Sequence, residues 1–146
     1  MYDILIDQIK QEVTKHGVQE LKTPEEVDTL LQNQKGTTLI FVNSVCGCAG
    51  GVARPALIQA MKHSVKPDTI ATVFASSDRE ATARAREYFT GMPPSSPSFA
   101  LLRGGKLIRM VHRSEIETSD ADNVAKILTD AFEKHCLEDV LEVRSN

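Results

Sequence analysis

A chain of 146 residues, 41% apolar and 25% charged, is long enough to bury a hydrophobic core and is read as one unit over 1–146. Its formal net charge of -3 gives no global attraction for nucleic acid or an anionic membrane surface, and no stretch approaches the ~20 apolar residues of a membrane span. Three cysteines, two of them nearly adjacent, do not make a disulfide framework, and the N-terminal segment carries Asp3 and Asp7 where a secretion leader would be basic and apolar; the expectation is the reducing cytoplasm.

The first 36 residues read as two helices. Leu5, Ile9 and Val13 recur at four-residue spacing in the first. The second opens on Thr23-Pro24-Glu25-Glu26, with threonine at the cap, proline at the first helical position and glutamate at the third, and Gly36 ends it. Residues 38–43 then form a nearly continuous apolar and β-branched run, the pattern of a strand buried on both faces.

Residues 53–62 read as a helix, 65–68 as a turn and 69–74 as a second buried strand, which together make a right-handed, parallel βαβ unit. Ser77-Asp78-Arg79-Glu80 reads as another capping box, opening a helix to about Phe89, and a loop rich in Pro, Ser and Gly spans 91–98. Residues 99–102 and 107–111 are strands joined across Gly104-Gly105, a pair suited to a tight hairpin. Ser119-Asp120 caps a last helix whose apolar face is Val124, Ile127, Leu128, Ala131 and Phe132.

Cys46 and Cys48 sit where the first strand hands over to a helix, at the carboxyl end of the sheet where α/β folds place their ligands. Free backbone N–H groups and the partial positive charge of a helix start favour a thiolate over a thiol, and so produce a usable nucleophile. Between residues 88 and 114 there is no acid but there are Arg103, Lys106, Arg109 and Arg113. That stretch reads either as protection of a sheet edge or as an attraction for an anionic thiol substrate. Arg54 is a solvated helix residue or a bidentate guide for a carboxylate, and Gly50 and Gly51 either loosen the helix start or admit a thiol beside Cys46. Cys136, on the last helix, suits packing.

The order β-α-β-α-β-β-α, with cysteines after the first strand and a proline before the third, resembles the thioredoxin fold: an α/β architecture with a central mixed sheet of about four strands flanked by helices, here with two additional N-terminal helices. Ser96-Pro97-Ser98 matches that fold's cis-proline position, where the backbone before the proline is presented for strand-like pairing with a substrate. Within the fold, the blocks Val42-Asn43-Ser44-Val45-Cys46-Gly47-Cys48-Ala49-Gly50-Gly51, Ala53-Arg54-Pro55 and Pro93-Pro94-Ser95-Ser96-Pro97-Ser98 resemble the bacilliredoxin family. The resemblance implies an enzyme that removes bacillithiol from mixed disulfides on cytoplasmic proteins, needs no cofactor and is regenerated by a reductase. It also implies that Cys46 attacks and takes the bacillithiol and that Cys48 resolves; Gly47, Ser96, Pro97 and Arg54 are the candidate substrate-binding residues.

The chain departs from ordinary thioredoxins in having one spacer residue between its cysteines, with Val45 at the tryptophan position and Ile40 at that of the buried aspartate. A disulfide needs Cα atoms roughly 4.4 to 6.8 Å apart. One spacer residue meets that only with strain, which implies a couple more oxidising than thioredoxin's potential of about -270 mV. A protein disulfide isomerase fits the same spacing. A metal or iron-sulfur carrier is the reading from another class, since thiolates are soft-metal ligands.

Overall fold

The apolar run at 37–43 becomes the centre of the molecule because every one of its residues is buried. A computed structural model describes the backbone of residues 2–33 and 36–145 and the side chains of 4–32 and 36–137. In chain order the elements are α1 (Tyr2–Thr14), β1 (Gln19–Glu20), α2 (Pro24–Asn33), β2 (Thr37–Asn43), a π-helical turn (Ala49–Ala53), α3 (Arg54–Ala60) and β3 (Thr69–Phe74). They continue with α4 (Arg79–Glu87), β4 (Ser98–Arg103), β5 (Lys106–Val111), α5 (Arg113–Glu117) and α6 (Ala121–Ser145). Among the described residues no helix is long and apolar enough to cross a membrane.

The strands form one mixed sheet in the order β1-β3-β2-β4-β5. β3 runs parallel to both β1 and β2, while β4 runs antiparallel to β2 and β5. The sheet therefore has five strands where about four were expected. The addition, β1, is two residues long, too short to show any alternation in sequence.

Alternate residues of β2 supply two cores. Leu39 and Phe41 pack with Leu57, Phe99, Leu128 and Phe132 on the face covered by α3 and α6. Ile40 and Val42 pack with Val27, Leu31, Ala81 and Ala85 on the face covered by α2 and α4. The parallel β2–β3 pair and the antiparallel β2–β4 pair leave the carboxyl end of β2 beside the amino end of β4, with Val42 opposite Ser98. That register brings the cysteine segment and the proline loop to one end of the sheet.

The helix caps show which local signals hold. Thr23 Oγ1 accepts the Glu26 N–H at 3.2 Å, the cap bond expected at the start of α2, and the return contact is from the Thr23 hydroxyl to the Glu26 carboxylate at 3.3 Å. Asp120 likewise accepts the Asn123 N–H at 2.8 Å ahead of α6. The box expected at 77–80 does not form: the N-cap of α4 is Asp78, one residue after Ser77, and it makes no side-chain cap bond because its carboxylate is held by Lys10 Nζ of α1 at 2.7 Å. On α1 the buried stripe is Ile6, Ile9 and Val13, and Leu5 is exposed. The second helix was expected to end at Gly36; α2 runs to Asn33, Gly36 lies outside it, and residues 34–35 are outside the described residues.

Phe41 and Phe99 face each other across the β2–β4 ladder with ring centroids 4.8 Å apart and planes 16° from parallel. Both are fully buried. Replacing Phe41 by Ala is expected to lower unfolding stability by about 3–5 kcal/mol in urea titration, through lost burial and the cavity left behind. A loss below about 1 kcal/mol would show that this pair is not central to the core.

Candidate active site

β2 ends at Asn43, residues 44–46 turn at the end of the sheet, and helical structure resumes at Gly47. The helix was expected from residue 53; it starts earlier, with Gly47 and Cys48 already helical ahead of a single π-helical turn at Ala49–Ala53. Pro55, with no N–H, cannot donate to the carbonyl four residues back, and Gly50 and Gly51 give the backbone latitude. The Arg54 N–H then reaches the carbonyl of Ala49, five residues back, and regular α-helix follows.

Cys46 and Cys48 are both partly exposed and unbonded, with their sulfurs 3.1 Å apart. They are not equivalent. Burial raises the Cys46 thiol, but a hydrogen bond from Ser44 Oγ at 3.2 Å, the Cys48 thiol, the Ala49 N–H and the charge of Arg113 together bring it below the ordinary cysteine value. Burial also raises Cys48, and the neighbouring Cys46 sulfur raises it further, with Arg113 only partly offsetting both. One thiol is therefore disposed to be a thiolate and the other to hold its proton, the division of labour that thiol–disulfide exchange needs.

The proline loop lies alongside. The Ser96–Pro97 peptide is cis. Two arginines hold the carbonyls before it: Arg86 Nη2 donates to Ser95 O and Arg113 Nη1 to Ser96 O, each at 3.2 Å. Arg113 is the first residue of α5, a short helix that the sequence reading did not contain. Its start is set by Glu115, whose carboxylate accepts the His112 N–H at 3.0 Å. Of the basic stretch, Arg113 is the member that the structure brings to the thiols. Arg103 instead bonds the carbonyl of His135, and Arg109 bonds Met110 O and Glu115. The combination of a cap-like His-x-x-Glu spacing and an isolated arginine after β5 was the available signal for Arg113.

Arg54 is neither solvated nor open to a substrate carboxylate. It is 6% exposed, and its guanidinium is bound to Glu12 Oε2 at 2.6 Å, Ser44 O at 3.0 Å and Asn43 Oδ1 at 3.2 Å. Its place is behind the cysteine segment, as a brace. This also explains one of the glycines: a Cβ on Gly50 would stand 2.6 Å from Arg54 Nη2, whereas Gly47 and Gly51 have open space around them. Gly50 thus admits the guanidinium rather than a thiol substrate. Ser44, 5% exposed, is the site residue that sequence reasoning passed over.

Cys136 is fully buried in the core beside Phe132, away from the pair. Among the described residues no group of three or more His, Cys, Asp or Glu side chains is placed to hold a metal ion.

Comparison with solved structures places the fold. A thioredoxin of Malassezia sympodialis matches with a TM-score of 0.59 at 17% identity, over 82% of this chain and 91% of its own. Mitochondrial thioredoxin 3 of Saccharomyces cerevisiae matches with a TM-score of 0.55 at 16% identity, over 79% and 96%. With a thiol pair at the end of β2 and a cis-proline loop beside it, the chain is a thiol-disulfide oxidoreductase of thioredoxin fold.

Residues 2–136 match the family described as Disulphide isomerase. A bacilliredoxin of Geobacillus kaustophilus is 51% identical over 138 residues, 94% of each chain. One of Bacillus licheniformis is 52% identical over 133 residues, covering 90% of this chain and 92% of its own. One of Staphylococcus aureus is 51% identical over 134 residues, 92% of both. The chain belongs to the bacilliredoxin family.

The contrast between the two glycines is testable. Gly50→Ala should lower the melting temperature, because the displaced guanidinium gives up buried bonds, whereas Gly51→Ala should leave it unchanged or raise it through better helix propensity. Equal effects at the two positions would remove the assigned role of Gly50.

Proposed function

We propose that the protein removes bacillithiol from mixed disulfides on cytoplasmic proteins. The Cys46 thiolate attacks the bacillithiol sulfur, forms a new disulfide with it and releases the client protein's thiolate. Cys48 then gives up its proton and attacks Cys46 sulfur, releasing bacillithiol and leaving a Cys46–Cys48 disulfide. A separate reductase returns two electrons to that disulfide, and no bound cofactor takes part.

The single observation that carries this reading is the asymmetry of two sulfurs 3.1 Å apart, Cys46 held below and Cys48 above the ordinary thiol value. The names of the relatives support bacillithiol as the thiol removed. Arg113, half-exposed and bonded to Ser96 O, gives the site a cation that suits an anionic thiol adduct. Gly47, in open space between the cysteines, and the Ser96–Pro97 backbone are the surfaces proposed to face that adduct. The net charge of -3 favours protein clients over nucleic acid or membrane.

Isomerase activity is the second reading, favoured by the family description that covers residues 2–136. Rates on a bacillithiol-blocked protein and on a scrambled-disulfide protein compare the two directly. The first should be the larger, and Cys46→Ser should abolish it while mass spectrometry of the wild type finds the removed thiol on Cys46. A faster rate on the scrambled protein, or full activity in Cys46→Ser, would contradict the proposal.

Arg113 adds a second expectation. The rate on bacillithiol adducts should fall with salt more steeply than on a neutral thiol adduct, since screening shortens to about 8 Å at physiological ionic strength. Arg113→Gln should flatten that difference. Equal salt slopes in the wild type would remove Arg113 from substrate attraction.

A further inference from the structure

Ser44 is the first residue beyond β2, and its side chain closes onto the residue two places later. Its hydroxyl oxygen faces the Cys46 N–H at 3.5 Å, and its proton is directed to Cys46 Sγ at 3.2 Å. An oxygen that accepts from the backbone N–H has its own hydrogen free to turn toward the sulfur. The Ser44 backbone is tied on both sides. Its N–H donates to Asn43 Oδ1 at 2.9 Å, and its carbonyl accepts from Arg54 Nη1 at 3.0 Å.

The same Nη1 reaches Asn43 Oδ1 at 3.2 Å, so one nitrogen of Arg54 holds both the Ser44 carbonyl and the oxygen that accepts the Ser44 N–H. Arg54 is itself anchored by its Nε to Glu12 of α1 at 2.6 Å. A hydroxyl on a backbone so held cannot drift, and it lies at 5% exposure where water competes poorly for the sulfur. The one carboxylate in this chain of contacts, Glu12, is bound to Arg54, so what the chain presents to Cys46 is a hydrogen-bond donor.

We propose that Ser44 is a further catalytic residue whose hydroxyl holds the negative charge on Cys46 sulfur, and that Arg54 is a positioning residue acting on Cys46 through Ser44. The inference rests on the reading of Cys46 as the attacking thiol. No proton is transferred from Ser44: its O–H bond stays intact while the sulfur passes from thiolate to disulfide. The charge of Arg54 is matched by Glu12, which leaves its effect on the cysteine geometric. Cys48, just ahead of the π-helical turn, and Arg113, paired with Glu117, from α5 bear on the same sulfur, and both stay in place in the variants below.

The test is the rate of iodoacetamide alkylation of the reduced full chain against pH, with the modified cysteine located by mass spectrometry. Wild type should label first at Cys46. In Ser44→Ala the rate at Cys46 should fall about tenfold at pH values below the thiol's titration, the scale of one hydrogen bond to a charged group. At high pH, where every accessible thiol is ionised, it should equal or exceed the wild type. That convergence is a signature that simple loss of structure would not give. Ser44→Thr, which keeps the hydroxyl, should restore the profile toward wild type.

Arg54→Lys should move the profile in the same direction as Ser44→Ala, and should add nothing in the Ser44→Ala background, because the pathway of its effect is already gone. A Ser44→Ala profile superimposed on wild type would overturn the assignment of Ser44. An Arg54→Lys effect that persists in full without the hydroxyl would overturn that of Arg54. First labelling at Cys48 would instead overturn the roles given to the two cysteines, and this inference with them.

Discussion

Everything at the reactive end of the molecule depends on one buried cation. The Arg54 guanidinium joins Glu12 of α1 to the end of β2 through Asn43 and Ser44, and the π-helical turn can pass over it only because residue 50 is glycine. A guanidinium at 6% exposure is costly unless its donors are matched, so removing a partner would leave a charge that the interior cannot accommodate. The strand end, the turn and the first helix are thereby held in one arrangement. The cysteine segment is built on that arrangement and inherits its precision.

On such a base, two chemically identical side chains become different reagents. Cys46 has a hydroxyl, a backbone N–H and a nearby guanidinium directed at its sulfur, whereas Cys48 has chiefly burial and a neighbour that carries the negative charge. No buried carboxylate is needed to separate them, which is consistent with Ile40 standing where thioredoxins place an acid. Arg113 links the pair to the proline loop, since it bonds Ser96 O and lies within electrostatic reach of both sulfurs. The proline loop and the thiol pair are thus coupled through one side chain.

The features legible in sequence were those with a local cause. The buried strand pair β2 and β3, the glycine hairpin between β4 and β5 and the Thr23 cap each have their determinant within a few residues, whereas the cis peptide before Pro97 was expected from the resemblance to the thioredoxin fold. What was not legible is set by contacts distant in the chain. The Asp78 carboxylate is held by Lys10, 68 residues away, and Arg54 is bound by Glu12, 42 residues away. β1 forms only because β3 offers an edge beside it. On α1 a one-residue change of face, from Leu5 to Ile6, follows from where Phe74 packs, which helical spacing alone does not reveal.

The central claim is that the two thiols ionise in a fixed order, Cys46 before Cys48. Titration of the reduced protein, followed by the 13Cβ chemical shifts of the two cysteines, measures that order without any substrate. Cys46 should ionise below the ordinary cysteine value and Cys48 above it, with Cys48 still protonated when Cys46 is fully thiolate. Ionisation of Cys48 first, or of both together at the ordinary value, would contradict the account.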